Sequence, residues 1–383
     1  MRKRNRSGKM ISVVPVENEE QFKAFVEFPY QLYKNDKYWV PPLRKDVYHL
    51  FDTSANPFWE HSERELLLAY RKEHLVGRIA AIVDRNYIEY WKENTGYFGF
   101  FECENDVEVA QALYKAAEKF HREKSMDKFI GPMNPSTNDE CGFLLEGYYS
   151  SPFIMMTYTP EYYHDLAQAS GLTKAKDLYA YYVSTDDAPI EYLERITSIV
   201  RRRVPDIKVR PVKMNDFSNE LKRIREVYND AWSRNYGAVA MTEAEFKEIA
   251  RVLKPLLVPE LVIVVEVNNR VVGVSLSVPN YNEVLKKLNG NLGLLEMLKF
   301  LYYKRTITEV RLVIMGVCKE YQKMGLESLL YLESFKAGKR LGYKGGELSW
   351  TLEDNHEVNN GIKKMGGKLY KKWRIYQGTV NQQ

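Results

Sequence analysis

Glu309-Val-Arg-Leu-Val-Ile-Met-Gly-Val317 runs into Cys318-Lys-Glu-Tyr-Gln-Lys-Met-Gly-Leu-Glu327 and then into Ser328-Leu-Leu-Tyr-Leu-Glu-Ser-Phe-Lys-Ala-Gly-Lys-Arg340. The first run is apolar, as a buried strand is, and the third has the length and composition of a helix. Between them lies a Gly-containing loop. A strand that passes through such a loop into a helix aims free backbone N–H groups at one point, and the helix dipole adds partial positive charge there. The stretch predicts an α/β fold, and Gln322 to Gly325 reads either as an anion site at the start of the helix or as an ordinary loop with a capping Gly. Gly325 lets the backbone approach closely, and Lys319 and Lys323 add charge.

Working outward, the same plan occurs twice. Leu66-Leu-Leu-Ala-Tyr, a polar turn at Arg71 to His74, and Leu75-Val-Gly-Arg-Ile-Ala-Ala-Ile-Val83 read as a β-hairpin. So do Val262-Ile-Val-Val-Glu, a turn around Asn268-Asn269-Arg270, and Val271-Val-Gly-Val-Ser-Leu-Ser-Val278. Aligning Gly77 with Gly273 superposes the hairpins without a gap, and an Asn-Tyr pair follows each. At the far ends, a helical stretch closing at Gly171 precedes Tyr179-Ala-Tyr-Tyr-Val183, and one closing at Gly366 precedes Trp373-Arg-Ile-Tyr376. Self-similarity of this kind marks a duplicated unit. The expected domains are 1–184 and 185–383, meeting near Ser184-Thr-Asp-Asp-Ala-Pro189, with a mixed sheet in each.

The halves differ where an anion would sit. The first half has the strand Gly96-Tyr-Phe-Gly-Phe-Phe-Glu-Cys103, the loop Glu104-Asn105-Asp106 and a helix from Val107. That loop is short, acidic and free of Gly, so it suits a helix cap and repels a pyrophosphate. Only the second half is expected to bind a phosphorylated cofactor.

Composition narrows the function. Lys+Arg 56 against Asp+Glu 51 leaves +5, too slight a surplus to point to nucleic acid. The 3 cysteines and 6 histidines show no metal spacing, so no metal is expected. The basic start, Met1 to Arg6, leads into no apolar signal core, and no run of about 20 apolar residues exists to cross a membrane. The expected location is cytoplasmic.

The second half, from about Lys208 to Gln377, resembles a GNAT domain, the acyl-CoA-dependent N-acyltransferase superfamily. Val317-Cys-Lys-Glu-Tyr-Gln-Lys-Met-Gly-Leu-Glu-Ser-Leu-Leu330 is similar to the family signature Q/R-x-x-G-x-G/A. Gln322 and Gly325 match, while Glu327 stands where a small residue is usual. The resemblance implies acyl-CoA as co-substrate. Its pyrophosphate would lie on the N–H groups of Gln322, Lys323, Met324, Gly325, Leu326 and Glu327, and its pantetheine arm against Val317 and Cys318. The whole tandem resembles a bacterial group of paired GNAT-like proteins, the YghO-like group, on Trp232-Ser-Arg-Asn-Tyr-Gly237 and Glu347-Leu-Ser-Trp350. The family often places a Tyr seven residues after the Asn that follows the fifth strand. Here that Asn is Asn355 and the position holds Ile362, which leaves Tyr370, Tyr376 or water as the acid.

Acylation of an amine needs a base for the nucleophile and a proton route to the leaving thiolate. Glu347 is the expected general base, acting through water, with Ser349 or Asn355 orienting it or contacting the thioester and Tyr376 placed among the catalytic residues. The alternative is that Glu347 pairs with a Lys or Arg and Asn355 only caps the next helix. The acceptor is read as a small-molecule or lipid-like amine. The insertion 284–305, apolar almost all round between 292 and 303 and flanked by Lys286, Lys287, Lys304 and Arg305, is expected to be a core or inter-domain helix. An acyl-chain wall or a peripheral membrane contact is its alternative. The cluster Gly131 to Gly142 reads either as an acceptor-recognising wall between the halves or as turn chemistry. The competing functions are a peptidoglycan-bridge type aminoacyl transferase and a non-catalytic CoA- or lipid-binding protein.

Overall fold

The computed structural model describes residues 11–233 and 235–381; the basic segment Met1 to Arg6 lies outside them. The first half supplies β1 (Ile11–Pro15), β2 (Ser62–Arg71), β3 (His74–Asp84), β4 (Thr95–Cys103), β5 (Lys128–Gly131), β6 (Phe143–Glu146) and β7 (Thr173–Ser184). The second supplies β8 (Ile207–Pro211), β9 (Val262–Val267), β10 (Arg270–Pro279), β11 (Glu309–Val317), β12 (Gly345–Leu352) and β13 (Lys368–Thr379). They join one 13-stranded sheet in the order β1-β2-β3-β4-β5-β13-β7-β12-β11-β10-β9-β8, with β6 beside β13.

Both predicted hairpins are present. β9 and β10 are joined at Asn268 and Asn269, whose φ values of 51° and 64° suit the tight turns that match strand twist. Within each half the pairing is antiparallel except for β4 with β5 and β11 with β12, which are parallel. Each parallel pair is linked by a helix, Val107–Glu123 in the first half and Leu326–Arg340 in the second. Those helices cover one face of the sheet, and Leu326–Arg340 also packs on Ile190–Arg203. The other face carries Glu19–Leu32 in the first half and Phe217–Trp232 in the second.

The closing strands are exchanged between the halves. β7, at the end of the first half, pairs with β12, and β13, at the end of the second, pairs with β5. The exchange is symmetric: Tyr181 stands opposite Leu348 and Tyr376 opposite Gly131. β7 and β13 pair with each other at the centre, so the two units share one continuous sheet.

One expectation about the core needs correction. The helix Leu294–Tyr303 has no buried residue and is not a core helix. It docks through Phe300 and Tyr303 alone, and the rest of its apolar surface faces outward.

Candidate functional site

β11 and β12 pair only from Glu309 opposite Gly345 to Leu312 opposite Leu348, and then part. Past this fork, Val313 to Gly316 are half-buried and unpaired with β12. Ser349 is the first residue of β12 beyond the fork, and Glu347 lies just before it.

A buried polar cluster fills the fork. Glu347 is 0% exposed, Arg311 4% and Ser349 6%. Arg311 Nε donates to Ser349 Oγ at 2.9 Å, and the same hydroxyl donates to Glu347 Oε1. Tyr370 Oη donates to Glu347 Oε2, and Arg311 Nε lies 3.7 Å from Glu347 Oε1. Arg311 Nη1 donates to the carbonyls of Ile154 and Met155, at 2.8 and 2.9 Å, and Nη2 to the Ser349 carbonyl at 3.3 Å. A first-half segment is thus bound to a second-half strand. Burial raises the Glu347 carboxyl above its usual range, opposed by Arg311 and by the two hydroxyl donors. Burial also pushes the Tyr370 phenol far up, and the Glu347 carboxylate pushes it in the same direction. Next in sequence, Lys371 points to the carbonyls of Gly147 and Ser150, and burial lowers its ammonium to about 8.

The loop after β11 leads to the N-terminus of the helix Leu326–Arg340. Gly325, at φ 85°, occupies the left-handed region, and no side chain caps that helix. Gln322, Lys323 and Met324 are exposed at its mouth. Glu327 follows on the first turn, its carboxyl raised by burial and opposed by its own backbone N–H. This arrangement fits an anion: N–H groups of a first turn, a Gly where a Cβ would meet Val200 Cγ2 at 2.9 Å, and Lys323 alongside. Two of the predicted pantetheine contacts already have partners. Cys318 N–H donates to the Val272 carbonyl at 2.8 Å, and the Val317 carbonyl accepts from Gln322 Nε2 at 3.2 Å. The free edge lies earlier, at Val313 to Gly316.

Of the expected catalytic residues, Glu347 and Ser349 come together and the other two do not. Asn355 caps the helix His356–Lys364, accepting from Val358 N–H at 3.3 Å. Tyr376 sits in the first-half core with its hydroxyl 2.8 Å from His164 Nδ1, because strand exchange carries it opposite Gly131. Tyr370 takes the place at Glu347, at a register shift between Leu369 and Lys371. Arg311 was missed. Its signal was a lone cation inside the apolar run Val310-Arg-Leu312. Among the described residues no group of His, Cys, Asp and Glu could hold a metal.

The cluster Gly131 to Gly142 joins the halves. Thr137 Oγ1 donates to the Gly237 carbonyl at 2.6 Å, and Tyr228 Oη donates to Asn138 Oδ1 at 3.0 Å. Inside this cluster, burial raises the Asp139 carboxyl to about 7.

Comparison with known proteins agrees with this geometry. The chain is 32% identical over 379 residues to the bacterial ceramide synthase of Caulobacter vibrioides, covering 97% of this chain and 98% of that one. It is 31% identical over 373 residues to the protein YghO of Escherichia coli, covering 95% and 94%. The chain belongs to their family. Solved structures show the same fold at low identity. A tandem GNAT protein from the clavulanic acid biosynthesis pathway gives a TM-score of 0.57 at 10% identity, covering 97% of this chain and 99% of that one. A GCN5-related N-acetyltransferase from Sphaerobacter thermophilus gives 0.50 at 10% identity, covering 97% and 96%. No protein-family model matches the chain. Among the described residues no helix is long and apolar enough to cross a membrane.

Proposed function

We propose that this tandem GNAT protein transfers an acyl group from acyl-CoA to the primary amine of a lipid-like amino alcohol. The observation that carries the reading is the second-half fork, where a buried carboxyl and an uncapped helix N-terminus stand at two ends of one parted strand. The name of the Caulobacter relative supports the acceptor class, since a ceramide is the N-acyl product of a long-chain amino alcohol. Acyl-CoA, as co-substrate, would supply the thioester: the amine nitrogen would bond to its carbonyl carbon while the C–S bond breaks and CoA leaves as the thiol.

The chain's own residues would do the rest. The helix start at Gly325 and Lys323 would hold the pyrophosphate, with the Glu327 carboxyl on the first turn beside it, raised by burial. Glu347 would take the amine proton through water, because burial makes its carboxylate more basic than an exposed one. Ser349, held between Arg311 and Glu347, fixes the carboxylate's orientation. Tyr370 holds a proton on Glu347 Oε2 and is the half-buried outlet of the cluster toward the leaving thiolate.

Incubation with palmitoyl-CoA or acetyl-CoA and a long-chain amino alcohol tests the reading by thiol release and mass spectrometry. The expected product is the N-acyl amide. Product formed only with aminoacyl-tRNA would overturn it in favour of an aminoacyl transferase, and CoA binding without turnover would leave a binding protein.

A further inference from the structure

The helix Leu294–Tyr303 lies between β10 and β11, where the first half has only the short helix Arg85–Trp91. Leu294 is 86% exposed, Leu295 69%, Leu298 60% and Tyr302 68%, and Met297 and Leu301 are exposed as well. At 100° per residue these six side chains share one face. The opposite face holds Phe300, stacked on Tyr281 with ring centroids 5.7 Å apart, and Tyr303. The outward apolar face is therefore not a strip left over from core packing. In water it would be a contiguous exposed patch of the kind that marks an interaction surface.

Charge decides the partner. Between 282 and 306 stand five cations, Lys286, Lys287, Lys299, Lys304 and Arg305, and two acids, Glu283 and Glu296. The Lys286 ammonium is turned to the Lys37 carbonyl and the Ser151 hydroxyl, which leaves four cations around the helix. Glu283 is half-buried, and Glu296 lies 3.9 Å from Lys299. On the helical wheel Lys299 and Lys304 fall on the two edges of the apolar face, while Lys287 Nζ lies 3.8 Å from the Tyr303 ring centroid at its base. Two copies meeting on this face would bring like charges together. An anionic lipid leaflet offers acyl chains to the leucines and headgroups to the cations. We propose that Leu294–Tyr303 seats the protein on anionic membrane, its axis in the plane of the interface. The inference does not rest on acyl transfer, because binding is read without substrate.

Sedimentation with vesicles of phosphatidylcholine plus phosphatidylglycerol, and of phosphatidylcholine alone, tests it. The wild type is expected to pellet with the mixed vesicles. Leu295→Ser with Leu298→Ser should lower partitioning about tenfold or more, with the melting temperature unchanged because both side chains are exposed. Lys304→Gln with Arg305→Gln should weaken binding to the anionic vesicles about fivefold per charge and leave the neutral ones unaffected. Wild type that stays in the supernatant with both vesicles overturns the proposal. So does pelleting undiminished by the leucine changes, or a dimer seen by light scattering that the same changes dissolve.

Discussion

At the last rung of β4 and β5, Tyr97 stands opposite Ile130; at the matching positions of β11 and β12 stand Arg311 and Glu347. The correspondence follows from the register, since Thr95 opposite Lys128 and Glu309 opposite Gly345 begin the two parallel pairs. Beyond the rungs the forks differ again. In the first, Asn134 Oδ1 accepts the Phe100 N–H at 2.7 Å and the Met133 carbonyl lies where a Cβ on Gly99 would be, so the chain itself fills the gap. The helix Val107–Glu123 is capped by Asp106, which accepts from Glu108 and Val109 N–H at 2.9 and 3.3 Å. In the second fork the strand edge is half-exposed and the helix start is uncapped. One backbone plan thus serves as packing in one copy and as a candidate reaction site in the other, with the difference written in a few side chains.

The sharpest way to break this comparison is to exchange the rung residues. Arg311→Ala leaves Glu347 buried without its cation and frees the carbonyls of Ile154 and Met155. It is expected to lower stability by about 3–5 kcal/mol in urea unfolding. Arg311→Tyr with Glu347→Ile copies the first fork, and should recover most of that loss while leaving no transferase activity. A single Arg311→Ala change costing under about 1 kcal/mol would mean that the pair contributes no more than an exposed one.

Glu347→Gln keeps the shape and removes the base. Transfer should fall about 10²- to 10³-fold, with CoA affinity unchanged in calorimetry. Burial raises the Glu347 carboxyl, so the wild-type rate should rise with pH through a value above the ordinary carboxylate range. The variant should lack that limb. Full activity in Glu347→Gln would place the base elsewhere.

A third test separates the two closing-strand tyrosines. Tyr370→Phe removes a donor to Glu347 and should slow transfer about 10- to 100-fold. Tyr376→Phe removes a hydrogen bond to His164 inside the first half, so it should cost about 1 kcal/mol of stability and leave the rate unaltered. The reverse pattern would mean that strand exchange does not set which tyrosine serves the fork.

Much of this architecture was legible in local patterns. Both hairpins, the loop at Gln322 to Gly325 and the pairing of Glu347 with Ser349 follow from alternation and turn chemistry over short spans. The equal spacing from Gly171 to Tyr181 and from Gly366 to Tyr376 revealed the duplication but not the exchange. A strand beside β5 and a strand beside β12 have the same hydrophobic period whichever copy supplies them, and only long-range pairing decides. Tyr376 was therefore assigned to the wrong fork. The sequence leaves Leu294–Tyr303 open between a core helix and an outward-facing one for a related reason: an apolar helix has one composition whichever way it faces.

The smallest effect concerns what holds the two copies together away from the forks. His61 of the first half sits between Asp84, 2.9 Å from its Nδ1, and Glu245 of the second half, 3.2 Å from its Nε2. Burial alone would lower its imidazolium, but the hydrogen bonds to both carboxylates prevail and raise it to about 9 from 6.5. A raised folded-state value means that the folded protein binds the proton more tightly. The clamp's stability is fully present below about pH 6.5 and is lost as pH rises through about 9. At about 1.4 kcal/mol per unit the shift corresponds to about 3 kcal/mol, which partial solvent contact reduces to about 1–2. Urea midpoints should fall over that interval in the wild type, and His61→Gln should flatten the slope while unfolding earlier at pH 6. A slope that survives His61→Gln would assign the pH dependence to another group and leave the junction to Thr137, Asn138 and Arg311, whose bonds across the halves are independent of pH in this range.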